Sequence, residues 1–434
     1  MNIAMIGTGY VGLVSGACFS EFGVNVTCVD KDGERINSLK KGKIPIYEPG
    51  LEDIVIDNLK SRRLRFTMDM AEAVSSSDIV FIAVGTPSRR GEGYADLTYV
   101  YEAAREISLH LKGYTVVVNK STVPVGTARN VKRIIKETNP EADFDVVANP
   151  EFLREGSAIN DFMRPDRVVI GVESERAKAL MKELYRPLYL IETPMVITNL
   201  ETAELIKYAS NAFLATKISF INEISNLCEA VGADIRVVAK GIGLDKRIGP
   251  KFLHAGPGFG GSCFPKDTQA LIKMFHDHNL TPRIVEAVVQ VNNAQRSLMI
   301  KKICDALNPD EHGRIVAILG LTFKPETDDI REAPSLTIIP ALQEKGMIVH
   351  ATDPQGINEA KKVLKNVKYF DDPYSAATGA DAVVILTEWN EYRALDLEKL
   401  KSIMRGNAFI DLKNIYEPSK IRSSGFSYTG VGVV

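Results

Sequence analysis

The sequence lacks the features of disulfide-rich, membrane-spanning and nucleic-acid-binding proteins. Its five cysteines are scattered over 434 residues without a CxxC pair, which argues against a disulfide framework or a zinc site and favours the cytoplasm. No apolar run reaches the ~18 residues of a membrane span. The N-terminus lacks the charged segment and the cleavage site that are typical of a signal peptide. The net charge of −2 gives no general attraction to nucleic acid or anionic membrane.

The remaining composition is that of an ordinary globular protein. Hydrophobic residues make up 45% of the chain and charged residues 25%, which excludes wholesale disorder. A chain of 434 residues is long enough for two or three domains.

The first 30 residues carry a dinucleotide-binding pattern. An apolar run over residues 1–6 predicts a strand, and Gly7, Gly9 and Gly12 follow with GxGxxG spacing before a helical stretch. These glycines permit a tight turn, close approach of a pyrophosphate, and close packing of helix on strand. A second predicted strand ends at Asp30, whose carboxylate would bind the adenosine ribose and repel a 2′-phosphate. The pattern therefore predicts NAD as the cofactor.

Apolar strands alternate with helical stretches in both halves of the chain, which predicts an α/β fold with two doubly wound parallel sheets. We expect an N-terminal NAD-binding Rossmann domain at residues 1–198, a central helical region at 199–300, and a C-terminal Rossmann-like domain at 301–434. The later half has no full GxGxxG, so we expect it to bind a different ligand. The further predicted strands are residues 77–84, 114–118, 146–148, 315–319, 348–351, 382–386 and 409–412.

A long helix is predicted between the two sheets. Residues 201–231 contain no proline and have apolar residues at helical spacing. Such a helix would join the two sheet domains and offer a face to another subunit; a break near Phe213 is the alternative. Lys207 and Asn211 share one face of this helix among mainly apolar and small neighbours. Buried polar groups need partners, so both residues are candidates for ligand binding.

Residues 256–267 read GPGFGGSCFPKD and contain the strongest chemical signal. Pro265 is suited to the first turn of a helix, which would place Cys263 at the helix N-terminus, where the partial positive charge favours thiolate. Lys266 and Asp267 add a cation and a possible base within one turn. Cys263 is therefore a candidate nucleophile, with a buried structural cysteine as the alternative.

Two further segments follow predicted strands, where ligands bind to α/β sheets. Residues 121–127 read STVPVGT, and residues 149–155 read NPEFLRE with two carboxylates beside a cation. The alternative for residues 121–127 is a helix cap with ordinary turn residues, and the alternative for residues 149–155 is a solvated turn.

Several motifs in the same order, and together covering nearly the whole chain, resemble the UDP-glucose 6-dehydrogenase family, within the wider UDP-glucose/GDP-mannose dehydrogenases. The N-acetylhexosamine branches tend to have histidine before the cysteine, where this chain has Ser262; GDP-mannose remains an alternative substrate. The motifs are GTGYVG, VGTP, STVPVGT, NPEFLRE, ETAELIKYASNAFLATKISFINE, GPGFGGSCFPKD and GLTFKPETDDIREAPS.

The resemblance implies a four-electron oxidation of UDP-glucose to UDP-glucuronate with two NAD, through an aldehyde and then a thiohemiacetal and a thioester on Cys263. It implies that Lys207 and Asn211 hold the oxygen attached to C6. The remaining catalytic roles that it implies are proton acceptance by Asp267 and by a water held on Thr122, thioester hydrolysis assisted by Glu151, and a supporting role for Glu155.

The resemblance also implies binding residues and an assembly. Arg247 is similar to an arginine that reaches across a subunit boundary, so a homodimer is expected, with no nucleic acid, membrane or metal as partner. The expected NAD contacts are Gly7, Gly9, Tyr10, Val11, Gly12, Asp30, Thr86, Thr122 and Arg331. The expected sugar-nucleotide contacts are Phe152, Leu153, Arg154, Lys207, Asn211, Arg247, Phe252, Leu253, His254, Ala255, Gly256, Gly260 and Lys324.

Two other functions are compatible with parts of this pattern. A single-step 3-hydroxyacid dehydrogenase of the 6-phosphogluconate type also combines a Rossmann domain with a Lys-x-x-x-Asn helix, but it needs neither the Cys263 segment nor a second sheet. A sensor that binds NAD and a sugar nucleotide without turnover would not need the thiol, lysine and acids together. Residues 88–93 are predicted to be a flexible loop without a catalytic role.

Overall fold

A computed structural model describes residues 1–87, 95–307 and 312–433, so the predicted loop at 88–93 lies outside the described residues. The chain divides into two compact units. The first comprises Met1–Ser210 and Gln269–His278, and the second comprises Asn211–Thr268 and Asn279–Val434. Each unit contains one sheet, which confirms the predicted pair of α/β sheets.

The sheet of the first unit has eight strands among the described residues, in the order β3-β2-β1-β4-β5-β6-β7-β8. Neighbouring strands are parallel except β6 and β7, which meet in one antiparallel pairing of Ala148 with Gly171. All residues of β4 and β5 are buried, as expected for central strands covered on both faces. The strands are β1 (Asn2–Ile6), β2 (Asn25–Val29), β3 (Leu64–Thr67), β4 (Ile79–Ile82), β5 (Thr115–Asn119), β6 (Phe144–Ala148), β7 (Val168–Gly171) and β8 (Met195–Thr198).

Helices connect these strands, and several begin at a side-chain cap. Asp32, Asp69 and Ser174 each accept a hydrogen bond from the backbone N–H three residues later, which satisfies a donor that the helix itself cannot pair. These helices are α1 (Tyr10–Glu21), α2 (Gly33–Lys40), α3 (Leu51–Lys60), α4 (Met70–Ser75), α5 (Thr98–His110), α6 (Thr127–Thr138), α7 (Ala158–Met163) and α8 (Glu175–Leu184).

The predicted central helix is continuous. α9 (Leu200–Val231) runs for 32 residues, so the alternative of a break at Phe213 is wrong. It begins in the first unit and ends in the second, as the division falls between Ser210 and Asn211. Lys207 and Asn211 are therefore one helical turn apart on the same helix.

The second unit repeats the architecture with a parallel sheet of the order β11-β10-β9-β12-β13-β14. Its strands are β9 (Ile315–Leu319), β10 (Ile348–Thr352), β11 (Val367–Tyr369), β12 (Ala382–Ile385), β13 (Ala408–Asp411) and β14 (Ser427–Thr429). The remaining α-helices of the described residues are α10 (Ile235–Gly243), α11 (Phe264–Asp277), α12 (Arg283–Leu307), α13 (Ser335–Glu344), α14 (Ile357–Val363), α15 (Pro373–Ala377), α16 (Leu397–Ile403) and α17 (Pro418–Ser423).

Candidate active site

The three glycines of the first turn differ in why a side chain is absent there. Gly7 has φ +102°, and a Cβ there would lie 2.7 Å from the carbonyl oxygen of Ala83. A Cβ on Gly12 would lie 2.0 Å from the carbonyl oxygen of Gly7. A Cβ on Gly9 would meet no atom within 4 Å. Gly7 and Gly12 are thus required by the fold, whereas Gly9 leaves open space at the N-terminus of α1, where a pyrophosphate would approach.

Asp30 follows β2 and lies beside this turn. Its Oδ2 accepts hydrogen bonds from the backbone N–H of Thr8 at 2.8 Å and from the Thr8 hydroxyl at 2.7 Å. Burial opposes ionisation of Asp30, but the hydrogen bonds from Thr8 and Asp32 and the charge of Arg35 outweigh it and lower its pKa. The carboxylate is therefore anionic at neutral pH, which fits binding of a ribose diol.

Tyr10 and Val11 begin α1 directly after the glycine turn. The Tyr10 hydroxyl donates a hydrogen bond to the buried Glu48, and burial together with that carboxylate raises the pKa of Tyr10. Glu48 also accepts from the backbone N–H groups of Gly156 at 2.6 Å and Ala158 at 2.8 Å. It thus ties the start of α1 to the segment after NPEFLRE, a link that the sequence did not reveal.

The STVPVGT segment joins β5 to α6 and is held from two sides. The Thr86 hydroxyl donates to the carbonyl of Thr122 at 3.0 Å. Glu204 on α9 accepts from the backbone N–H groups of Gly126 at 2.6 Å and Ala128 at 2.7 Å, so it caps α6 from another part of the chain. Burial raises the pKa of Glu204 to about 7 despite these donors. Glu204 was missed because an isolated Glu on a helix predicts an exposed residue.

Lys207 and Glu151 form a buried ion pair. Lys207 Nζ lies 3.1 Å from Glu151 Oε1, and both side chains are almost fully buried. Glu151 also accepts from the backbone N–H of Leu153 at 2.5 Å, and Lys207 lies over the ring of Phe152 at 5.2 Å. The predicted NPEFLRE segment and the predicted lysine are therefore brought together.

The last two residues of the NPEFLRE segment, Arg154 and Glu155, have other partners. Arg154 pairs with Asp161, with Nε 2.9 Å from Oδ2, and its side chain is half exposed. Glu155 is partly buried and interacts electrostatically with Tyr10.

Cys263 immediately precedes α11, as predicted, although the helix begins at Phe264 and places Pro265 second. The Asp267 N–H donates to the carbonyl of Cys263 at 2.8 Å, which closes the first helical turn. Cys263 is partly exposed, and the other cysteines are buried; burial raises the pKa of both Cys18 and Cys28 to about 12. Cys263 is therefore not the buried structural cysteine of the alternative interpretation.

Asp267 is fixed one turn into α11. Its side chain is 1% exposed and lies 2.6 Å from Lys266 Nζ. Asn211 Nδ2 donates to its other oxygen at 2.6 Å. The carboxylate predicted as a base and the amide predicted to bind substrate thus contact each other directly.

The glycines around the thiol pack against their own unit. A Cβ on Gly260 would lie 2.3 Å from the carbonyl oxygen of Glu332, and one on Gly261 would lie 2.8 Å from the Phe323 ring. The Gly256 N–H donates to Asn222 Oδ1 at 2.9 Å. Packing therefore accounts for these glycines without a bound molecule.

The neighbouring loop is partly buried, and the three basic residues have partners close to them in the sequence. Phe252 adopts a left-handed φ of +66°, Leu253 and Ala255 are buried, and His254 is exposed. The basic side chains have local partners: Arg247 pairs with Asp245, Arg331 pairs with Asp329, and Lys324 lies over Phe323. Their expected ligand contacts stay predictions.

The second sheet repeats the turn but not the dinucleotide site. Gly320 has φ +102°, the same as Gly7, and Asp353 follows β10 as Asp30 follows β2. The Oδ2 of Asp353 accepts from the Leu321 N–H at 2.7 Å and from Trp389 Nε1 at 3.2 Å. The additional donor to Asp353 is the buried Trp389 side chain; that this sheet binds a different ligand stays a prediction.

The strand, glycine turn, helix and anionic Asp30 are the features of a dinucleotide-binding domain that fits NAD. Residues 1–189 match the NAD binding domain of the UDP-glucose/GDP-mannose dehydrogenase family, residues 201–294 match its central domain, and residues 317–418 match its UDP binding domain. The chain belongs to this family and is an NAD-dependent dehydrogenase.

Known proteins resemble the chain over its full length. It is 58% identical to the UDP-glucose 6-dehydrogenase of Rhizobium meliloti, covering 100% of this chain and 99% of that protein. It is 52% identical to UDP-glucose 6-dehydrogenase TuaD of Bacillus subtilis, covering 99% and 93%. The structure of a UDP-glucose dehydrogenase from Pyrobaculum islandicum superimposes with a TM-score of 0.92 at 39% identity, covering 100% and 98%.

In the parts of the chain that the structure describes, no helix is both long and apolar enough to cross a membrane.

Proposed function

We propose that the protein oxidises UDP-glucose to UDP-glucuronate in two successive two-electron steps. The observation that carries this proposal is the arrangement at α11, where the partly exposed Cys263 precedes the helix and Asp267 is fixed one turn later by Asn211 and Lys266. A thiol can supply the tetrahedral adduct that an aldehyde must form before it can lose a second hydride. The relatives named UDP-glucose 6-dehydrogenase support the choice of substrate.

The glycine turn and Asp30 fit NAD. The open space at Gly9 and the N-terminus of α1 suit the pyrophosphate, and the anionic Asp30 suits the ribose and disfavours a 2′-phosphate. Tyr10, Val11, Thr86, Thr122 and Arg331 are the further cofactor contacts that we propose. NAD, when bound, accepts the hydride that leaves C6 in each of the two oxidations.

The first oxidation converts the primary alcohol at C6 to an aldehyde. Lys207 and Asn211, one turn apart on α9, hold the C6 oxygen and stabilise the negative charge that develops on it. Asp267, together with a water on Thr122, accepts the hydroxyl proton.

The second oxidation and the hydrolysis depend on Cys263. Its thiolate adds to the aldehyde carbon, and the resulting thiohemiacetal alkoxide gives up a hydride to the second NAD and so becomes a thioester. A water then attacks the thioester, releases the carboxylic acid and restores the thiol. We assign proton transfer in the hydrolysis to Glu151, with Glu155 supporting it.

The UDP-sugar contacts and the homodimer belong to the same proposal. We assign the sugar nucleotide to the backbone at 152–154, the loop at 252–256, Gly260 and Lys324, and to Arg247 of a second copy. The Arg247 side chain is 88% exposed, as an arginine that reaches a second copy must be. Phe213, Phe220 and Leu227 are exposed on α9 at intervals of seven residues, a spacing typical of helices that pack together.

The test is the number of NADH molecules formed per UDP-glucose consumed at completion. We expect a ratio of about two, because each product molecule requires two hydride transfers. A ratio of about one would support the single-step dehydrogenase. The presence of a second sheet, which that enzyme does not need, argues against it. Binding without NADH formation would support the sensor. Cys263→Ala should bind NAD normally but form no acid.

A further inference from the structure

A buried lysine outside the assigned machinery interacts electrostatically with both members of the Lys207–Glu151 pair. Lys120 follows β5 directly, is 4% exposed, and donates to Asn149 Oδ1 at 3.1 Å and to the Tyr185 hydroxyl at 3.2 Å. The Tyr185 hydroxyl itself donates to Asn149 Oδ1 at 2.6 Å. Both partners of the ammonium are neutral, and burial of a cation among neutral groups is costly. Such a position requires a compensating charge nearby.

That charge is Glu151, two residues beyond Asn149. Lys120 is attracted to Glu151 and repelled by Lys207, and Arg167 is also attracted to Glu151. Burial lowers the pKa of Lys120 to about 8, against the attraction of Glu151. Lys120 is therefore mainly charged at neutral pH and loses its charge as the pH rises above about 8.

We propose that Lys120 is a positioning residue whose positive charge compensates the negative charge of Glu151. The positive charge of Lys207 is then left to act on the C6 oxygen. The ion pair of Lys207 with Glu151 is neutral by itself, and Lys120 adds a positive charge to that of Arg167, so that the group would stabilise a developing oxyanion less without Lys120. The hydrogen bond of Lys120 to Asn149 also fixes the end of β6, from which the chain continues to Glu151. The inference rests on the proposed role of Lys207 in the oxidation of UDP-glucose.

The test compares Lys120→Met with Lys112→Met, which removes an exposed lysine of the same unit. We expect kcat of Lys120→Met to fall at least about tenfold, which corresponds to about 1.4 kcal/mol, with KM values for NAD and UDP-glucose changed by less than about threefold. The kcat of the wild type should decline above about pH 8, and this decline should be absent from Lys120→Met, which has no charge to lose. Lys120→Arg should recover part of kcat and shift the decline to higher pH, because a guanidinium stays charged.

Wild-type kcat and an unchanged pH profile in Lys120→Met would overturn the inference. If thermal unfolding shows that Lys120→Met does not fold, Tyr185→Phe decides instead. It keeps the ring but removes one acceptor of the ammonium, so the decline in kcat should move to lower pH; an unmoved decline overturns the inference. A wild type that does not oxidise UDP-glucose would refute the proposed function itself, which separates the two failures.

Discussion

Gly9→Ala and Gly12→Ala form a matched pair that separates the cofactor role of the glycine turn from its folding role. Gly9 has φ −68° and ψ −172°, which alanine adopts without strain, and its Cβ would meet no protein atom within 4 Å. Alanine at this position should leave stability unchanged or raise it by about 0.4–1 kcal/mol through the unfolded chain. The methyl group would occupy the approach path of the pyrophosphate. Loss of about one charge-assisted hydrogen bond, about 1.5–3 kcal/mol, should weaken NAD binding about 10- to 150-fold.

Gly12→Ala should show the opposite behaviour. Its Cβ would lie 2.0 Å from the carbonyl oxygen of Gly7, a backbone atom that cannot move away as a flexible side chain can. We expect a loss of about 1–3 kcal/mol or more in the free energy of unfolding. Calorimetric titration with NAD and thermal unfolding of both variants make the comparison. Wild-type NAD affinity in Gly9→Ala, or wild-type stability in Gly12→Ala, would refute this reading of the turn.

Three further predictions follow from particular contacts. Asp267→Asn should lower kcat about 100-fold or more while NAD affinity is kept, since a general base is lost; a wild-type rate in a stopped-flow assay would exclude Asp267 as base. Phe220→Glu should convert the proposed dimer to monomer in light scattering, because it places a charge on the exposed apolar stripe of α9; an unchanged mass would place the interface elsewhere. The pKa of Glu204 is raised from 4.5 to about 7, so its ionisation costs stability as the pH rises over that interval. In chemical unfolding, the free energy of unfolding of the wild type should fall by up to about 3 kcal/mol over this interval, and this fall should be absent from Glu204→Gln. Parallel pH profiles of the two proteins would contradict the prediction.

The sequence predicted those parts of the fold whose signal is local. The first strand, glycine turn and helix were predictable because strand, turn and helix signals follow one another within residues 1–22. The strand at residues 315–319 was predicted with the bounds that the structure shows. The edge strands β11 and β14 have three residues each, too few to show a period of two. The antiparallel pairing of β6 with β7 depends on the path of the chain between them, which no local pattern encodes.

The same distinction holds for the site. The position of Cys263 directly before a helix was predictable because a proline and a cluster of glycines surround the thiol in the sequence; the catalytic roles of Cys263 and Asp267 stay predictions. Lys120, Glu48 and Glu204 were not, because their burial and their partners come from distant segments. Glu48 binds the backbone 108 residues further along the chain, and Glu204 binds a helix start 76 residues before it. The three-part division at residues 198 and 300 stays a prediction, which limited proteolysis with mapping of the cleavage sites would test.

The central claim is that the sulfur of Cys263 becomes covalently bonded to C6 of the substrate during turnover. Peptide mass spectrometry after an acid quench of Glu151→Gln with UDP-glucose and NAD tests it most directly, because slowed hydrolysis should let the thioester accumulate. We predict that the peptide containing Cys263 carries the mass of the UDP-glucuronyl group and loses it with hydroxylamine. Formation of the acid with that peptide unmodified, or with the adduct on another residue, would contradict the account.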